Sequence, residues 1–123
     1  MKRPSALLVD GDEDTRTILR DALEHAGFDV HSTPSGAEGL ALADAHRPDV
    51  IIGDFPLDVP GHSAFSDDIR ANRRLTRTRL LAVTARAMED EVAASRAAAD
   101  AVLLKPVDPR VVVHEVRRLI GGN

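Results

Sequence analysis

Five short apolar runs, each followed by a stretch with helical spacing, constrain this chain more than any other feature. The runs are "ALLV" at 6–9, "FDVHS" at 28–32, "DVIIG" at 49–53, "LLAVT" at 80–84 and "AVLL" at 101–104. Each is too short for a helix and is bounded by polar or turn residues, so each reads as a strand. Three are apolar almost throughout, which suits strands covered on both faces. Between them, Ile18, Leu19, Ala22, Leu23 and Ala26 recur at helical spacing within 14–26, and Gly27 supplies a stop. "SGAE" at 35–38 has the spacing of a capping box and opens a helix to 46, with Leu40 and Ala43 or Ala41 facing inward and Pro48 blocking continuation. The spacing predicts a weaker helix over 62–73, carried by Phe65 and Ile69. An alanine-rich helix comes next over 86–99, with Met88, Val92 and Ser95 or Arg96 on its inner side. Alanine favours helix but buries little surface, so this helix is expected to be loosely held. The last helix has Asp108 as N-cap, Pro109 at its first position and Val112, Val113, Val116, Leu119 and Ile120 on one face.

Strand–helix alternation of this kind implies parallel strands, right-handed crossovers and helices on both faces. The expected architecture is a single α/β domain over 1–123, with no internal repeat and no linker. Two topologies compete: a (βα)5 flavodoxin-like doubly wound sheet in the order 2-1-3-4-5, and half of a dinucleotide-binding fold. Packing falls to Val, Leu, Ile and Ala, because the chain has three Phe and neither Tyr nor Trp. It has no cysteine, which excludes disulfides and thiolate metal sites and fits a cytoplasmic setting. No apolar run nears the roughly 18 residues that span a bilayer, and "MKRPSALLVDGD" reaches acids too soon for a secretory signal. No membrane partner is expected.

Charge is uneven. Residues 1–68 carry 14 acids against 5 bases, and residues 69–123 carry 6 acids against 11 bases. Arg70, Arg73, Arg74, Arg77 and Arg79 cluster in "RANRRLTRTR". Without interleaved aromatics, and in an acidic chain, these read as a solvated face rather than a direct nucleic-acid site.

The chemistry lies where the strands end. Ligands of open α/β sheets bind beyond the carboxyl ends of the strands, at the switch point in strand order. The first strand ends at Asp10, within "LLVDGDEDTR"; the third at Asp54; the fourth at Thr84 and Ala85; the fifth at Lys105 and Pro106. One acid after Gly11 caps the first helix, and Glu13 and Asp14 complement its dipole. In the 2-1-3-4-5 order Asp10 and Asp54 face each other. Two carboxylates about 5 Å apart repel by roughly 3 kcal/mol at an effective dielectric near 20, so a cation belongs between or beside them. Lys105 supplies one charge. A hard divalent ion such as Mg²⁺, held by Asp10, Asp54 and, less directly, Asp12, would supply two. A carboxylate in that position can attack phosphorus, with Thr84 and Lys105 contacting the transferred group. No nucleophilic triad or zinc spacing is visible, and the five histidines form no His-x-x-x-His pair.

"LLVDGDEDTR", "PDVIIGD", "LLAVTA" and "LLKP", in that order, resemble the CheY-like receiver domain of bacterial response regulators over essentially the whole chain. The resemblance implies that Asp54 is the phosphoacceptor, Asp10 an acid-pocket residue, Thr84 a phosphoryl contact and Lys105 the bridge to the acid pocket. It implies Mg²⁺ as cofactor, and a sensor histidine kinase or histidine phosphotransfer protein as donor. A homodimer through the face from fourth to fifth helix would also fit the resemblance. The protein would then assist its own phosphoryl transfer and hydrolysis without being a conventional enzyme.

Four positions depart from the family pattern. Gly11 stands where a second, metal-ligating acid is usual, so Mg²⁺ is expected to bind more weakly unless Asp12 or a bridging water compensates; glycine there also eases a tight turn. The loop "FPLDVPGHSAF" puts Asp58 and His62 where proline and glycine are usual, with Pro56, Pro60 and Gly61 displaced; His62 reads as surface. Val102 occupies the place of the switch aromatic. "AAAD" at 97–100 removes a glycine C-cap at Ala98. These departures motivate a second reading, a degenerate receiver that binds partners independently of phosphorylation. A third, a flavin or nucleotide binder, lacks the glycine- or hydroxyl-rich phosphate loop it would need after the first strand.

Overall fold

The computed structural model describes residues 2–61, 63–86 and 88–121. Five parallel strands, β1 (Ser5–Val9), β2 (Asp29–Thr33), β3 (Val50–Gly53), β4 (Arg79–Thr84) and β5 (Ala101–Leu104), form one sheet in the order β2-β1-β3-β4-β5. This is the flavodoxin-like alternative. Helices α1 (Glu13–His25), α2 (Gly36–His46), α3 (Phe65–Ala71), α4 (Glu89–Ala98) and α5 (Pro109–Gly121) alternate with them.

The near-continuous apolar strands have the expected cause: each strand feeds two cores. Ala6 and Leu8 of β1 join Ile52, Val83, Leu19, Leu23, Val112 and Val116 beneath α1 and α5. Leu7 and Val9 join Ile51, Leu80, Phe55, Phe65 and Ile69 on the opposite face. The Asp108 cap holds, and the capping box at Ser35 holds in half, because the Ser35 N–H donates to the Thr33 hydroxyl at 3.1 Å instead of to Glu38. The Ser35 hydroxyl accepts from Glu38 N, and Asp108 Oδ1 accepts from Arg110 N at 2.9 Å.

Several helical details differ from the spacing argument. α3 stops at Ala71 because Asn72 turns to extended backbone; its side chain then caps a short 3-10 turn over Arg73–Leu75. α4 starts at Glu89, with Met88 as an exposed N-cap rather than an inward residue. Ser95, not Arg96, is the buried residue of α4. In α2 Ala43 is buried and Ala41 exposed. Ile18 is 52% exposed, because it flanks an open groove beside α1 instead of facing the sheet. α4 ends on Ala99 in extended conformation, the different turn expected where the glycine cap is missing. Asp100 secures the entry to β5, accepting from Leu80 N at 2.7 Å and from Arg70 at 2.6 Å. Arg70 is thus structural, and Arg74 lies 3.8 Å from Asp44.

Candidate functional site

The pairing Val9↔Gly53 between β1 and β3 brings the next residues, Asp10 and Asp54, out side by side at the switch point. Gly53 makes this approach possible: a Cβ there would lie 2.7 Å from the Val9 carbonyl and 3.0 Å from the Phe55 ring. Thr84 ends β4, the neighbour of β3. Lys105 comes directly after β5, and its backbone N–H donates to the Thr84 carbonyl at 2.8 Å. All four residues singled out at strand ends therefore lie at the same end of the sheet.

Their partners differ. Lys105 Nζ donates to Asp10 Oδ2 at 3.0 Å, with the two side chains only 22% and 12% exposed. The other Asp10 oxygen accepts from Asp12 N at 2.9 Å. Arg16 Nη1 donates to the Asp10 carbonyl at 2.7 Å and ties α1 to the strand end. Asp10 is thus held on three sides. Thr84 is fully buried, and its hydroxyl accepts from Arg86 N at 3.0 Å. Asp54 is paired elsewhere. Arg86 Nε stands 3.5 Å from Asp54 Oδ1, an ion-pair distance without hydrogen-bond alignment. That oxygen is buried and has no hydrogen-bond partner among the described residues.

The remaining acids do not close a cage. Asp12 is the N-cap of α1: it accepts from Asp14 N at 3.3 Å and from Thr15 Oγ1 at 2.6 Å. The Thr15 hydroxyl, with the Asp14 N–H and the charge of Lys105 behind it, holds the Asp12 carboxyl below its ordinary pKa. Capping, rather than ligation, is what its oxygens do here. At Gly11 the backbone is not left-handed, and an added Cβ would meet nothing within 4 Å. The turn therefore does not require glycine, contrary to the conformational reading of this position; what glycine does is remove a side chain from the pocket. Asp58 is exposed, while Phe55 and Val59 of the same loop are buried and Phe55 stacks on Phe65. His62 lies outside the described residues. Val102 is half-buried against the core of Leu7, Ile51, Phe65 and Leu80.

Among the described residues no group of three or more His, Cys, Asp or Glu could hold a metal. Asp10 and Asp54 offer two carboxylates. That is a minimal but sufficient set for Mg²⁺, which keeps several waters and takes the rest of its oxygens from a phosphate. The buried Asp54 oxygen, which makes no hydrogen bond among the described residues, is compatible with that donor set.

Sequence reasoning missed Arg86 and Arg16. Arg86 had a usable signal, being the single base between Arg79 and Arg96 and lying in a loop that must open at the acidic end.

A doubly wound sheet with acids at its switch point defines the class. Comparison defines the family: the sequence profile of the response regulator receiver domain matches residues 6–117, and the chain belongs to that family. It is 35% identical over 118 residues to the transcriptional regulatory protein AfsQ1 of Streptomyces coelicolor, covering 95% of this chain and 51% of AfsQ1. The chain thus spans about half the length of that relative. The chemotaxis response regulator CheY4 of Vibrio cholerae superposes with a TM-score of 0.82 at 26% identity, over 96% of this chain and 99% of CheY4. The receiver domain of the sensor histidine kinase PA1611 from Pseudomonas aeruginosa has a TM-score of 0.84 at 24% identity, over 98% of this chain and 99% of that one. It carries a magnesium ion coordinated in its active-site cleft. No helix among the described residues is long and apolar enough to cross a membrane.

Proposed function

We propose that this receiver accepts a phosphoryl group on Asp54 from a sensor histidine kinase or histidine phosphotransfer protein, and thereby changes its affinity for a partner. The observation that carries this is the adjacency of Asp10 and Asp54 at the switch point, with Lys105 on Asp10 and Thr84 beside them. The exposure of Asp54, 32% for its side chain, leaves an oxygen free to attack phosphorus. As the bond to phosphorus forms, the phosphorus–nitrogen bond of the donor breaks and the leaving imidazole takes a proton. Lys105 reaches the transferred oxygens from its seat on Asp10, and the Thr84 hydroxyl donates to one of them. Mg²⁺, held by Asp10 and Asp54, would neutralise charge on those oxygens. The protein on this reading assists its own phosphorylation and hydrolysis and turns over no separate substrate. A small phosphodonor with Mg²⁺ should add one phosphoryl mass to the wild type and none to Asp54→Asn. An unlabelled wild type, under conditions that label an ordinary receiver, overturns the proposal.

The second reading, a phosphorylation-independent interaction module, is favoured by Gly11 and by the absence of an aromatic at Val102. It predicts that Asp54→Asn leaves partner binding unchanged; a large difference between the two proteins excludes it.

A further inference from the structure

The two carboxylates of the pocket are neutralised by different cations, and only one of these was expected. Lys105 sits on Asp10 at 3.0 Å, and no hydrogen bond or ion pair among the described residues joins it to Asp54. The charge opposite Asp54 is the Arg86 guanidinium, 3.5 Å from Oδ1 and carried on the loop after β4. Three further observations point the same way. Gly11 contributes no carboxylate although an added Cβ would meet nothing within 4 Å. The oxygens of Asp12 are taken up by the start of α1. The buried Asp54 oxygen has no hydrogen-bond partner among the described residues, so this ion pair is what holds it.

A pocket short of acids binds a divalent ion less strongly, and a resident guanidinium repels it further. The same guanidinium suits a phosphoryl group, because its several N–H donors match phosphate geometry and its charge does not depend on pH. We propose that Arg86 is the cation of the acceptor half of this site. It orients Asp54 through Oδ1, leaves the other oxygen to attack, and takes up the charge of the arriving phosphoryl oxygens. Phosphorylation is consequently less dependent on Mg²⁺ than a complete acid pocket would make it.

This rests on the proposed phosphorylation of Asp54, and the test separates the two. The atoms balance without the metal: a carboxylate oxygen bonds to phosphorus, the phosphorus–nitrogen bond of a phosphoramidate donor breaks, and the leaving amine keeps the electron pair and takes a proton from water. The backbone N–H of residue 86 caps Thr84 and survives any side-chain change. The experiment measures labelling of the whole chain by phosphoramidate, in Mg²⁺ and in excess EDTA, for wild type, Arg86→Ala, Arg86→Lys and Gly11→Asp. Mg²⁺ affinity is measured in parallel by titration without donor. We expect the wild type to keep at least a tenth of its rate in EDTA. Arg86→Ala should lose that residual rate about tenfold or more, and Arg86→Lys should restore part of it. Without donor, Arg86→Ala should bind Mg²⁺ several-fold more tightly, and Gly11→Asp likewise. Labelling in Mg²⁺ that EDTA abolishes in the wild type overturns the role of Arg86 and leaves Asp54 as acceptor. So does an unchanged or weaker Mg²⁺ affinity in Arg86→Ala. No labelling in either condition overturns both.

Discussion

The two edges of the sheet are built from the same kind of unit, yet one is anchored and the other is not. At the β2 edge, Phe28, Val30 and Thr33 are buried, and α1 presses Leu19 and Leu23 into the core. At the β5 edge no strand residue is fully buried, Leu104 is 47% exposed, and α4 buries only the hydroxyl-bearing Ser95. The cause is side-chain volume. Leucine and phenylalanine remove large apolar areas from water, whereas the alanines of α4 remove little while favouring helix just as strongly. Secondary structure can thus form equally at both edges while the free energy that ties it down is concentrated at one. The consequence is functional, because Lys105 and Arg86 both belong to the lightly held side and Asp10 to the well-packed one. Pairing of Asp10 with Lys105 is a clasp from the firm half to the loose half.

The contrast can be broken most directly by truncation. Leu23→Ala should lower unfolding stability by about 3 kcal/mol, through lost burial and the cavity left behind. Val92→Ala on α4 should cost about 1 kcal/mol or less, since the valine is only half-buried. Urea denaturation of the two variants checks this, and equal losses would erase the distinction between the edges.

A smaller effect belongs to the β2 edge alone. His31 stacks on His46 of α2, with ring centroids 4.0 Å apart and planes 17° from parallel. Burial first, then the charges of His46 and Arg20, hold the His31 pKa below its ordinary value near 6.5, with Asp29 opposing. The folded state therefore resists a proton that the unfolded chain accepts. Stability should be complete above about pH 6.5 and should decline as pH falls below it. The urea midpoint tracked from pH 7.5 to 5 should show this slope, and His31→Gln should flatten it; a slope that survives in the variant assigns it elsewhere.

The smallest change is expected at the other edge. The Ser95 hydroxyl is fully buried and makes no hydrogen bond among the described residues, so Ser95→Ala removes a desolvated polar group and suits a helix. Its effect should run from neutral to a gain of about 1 kcal/mol. A clear loss of stability would mean that the hydroxyl has a partner and that α4 is held better than its alanines suggest.

How much the chain reveals locally depends on the range of the forces involved. Strand runs, helix spacing, Ser35 and Asp108 as caps, and the order of the four strand-end residues depend on neighbours a few positions apart, and were legible locally. The parallel sheet was implied by alternation alone. Its order among alternatives was decided by which faces could be buried together, a property of the whole core. The misplacement of Ile18 and Met88 has the same origin: helical spacing names an apolar face but not where the sheet beneath it ends. The site divides likewise. Which carboxylates reach the switch point was determined by strand ends in the sequence. The resemblance already placed Lys105 at the acid pocket of Asp10, whereas only the tertiary structure decided that Arg86 serves Asp54 and that Asp12 is the acid spent on the helix start. Coulomb pairing acts over a few ångströms between loops distant in sequence, and no local pattern encodes which cation arrives beside which acid.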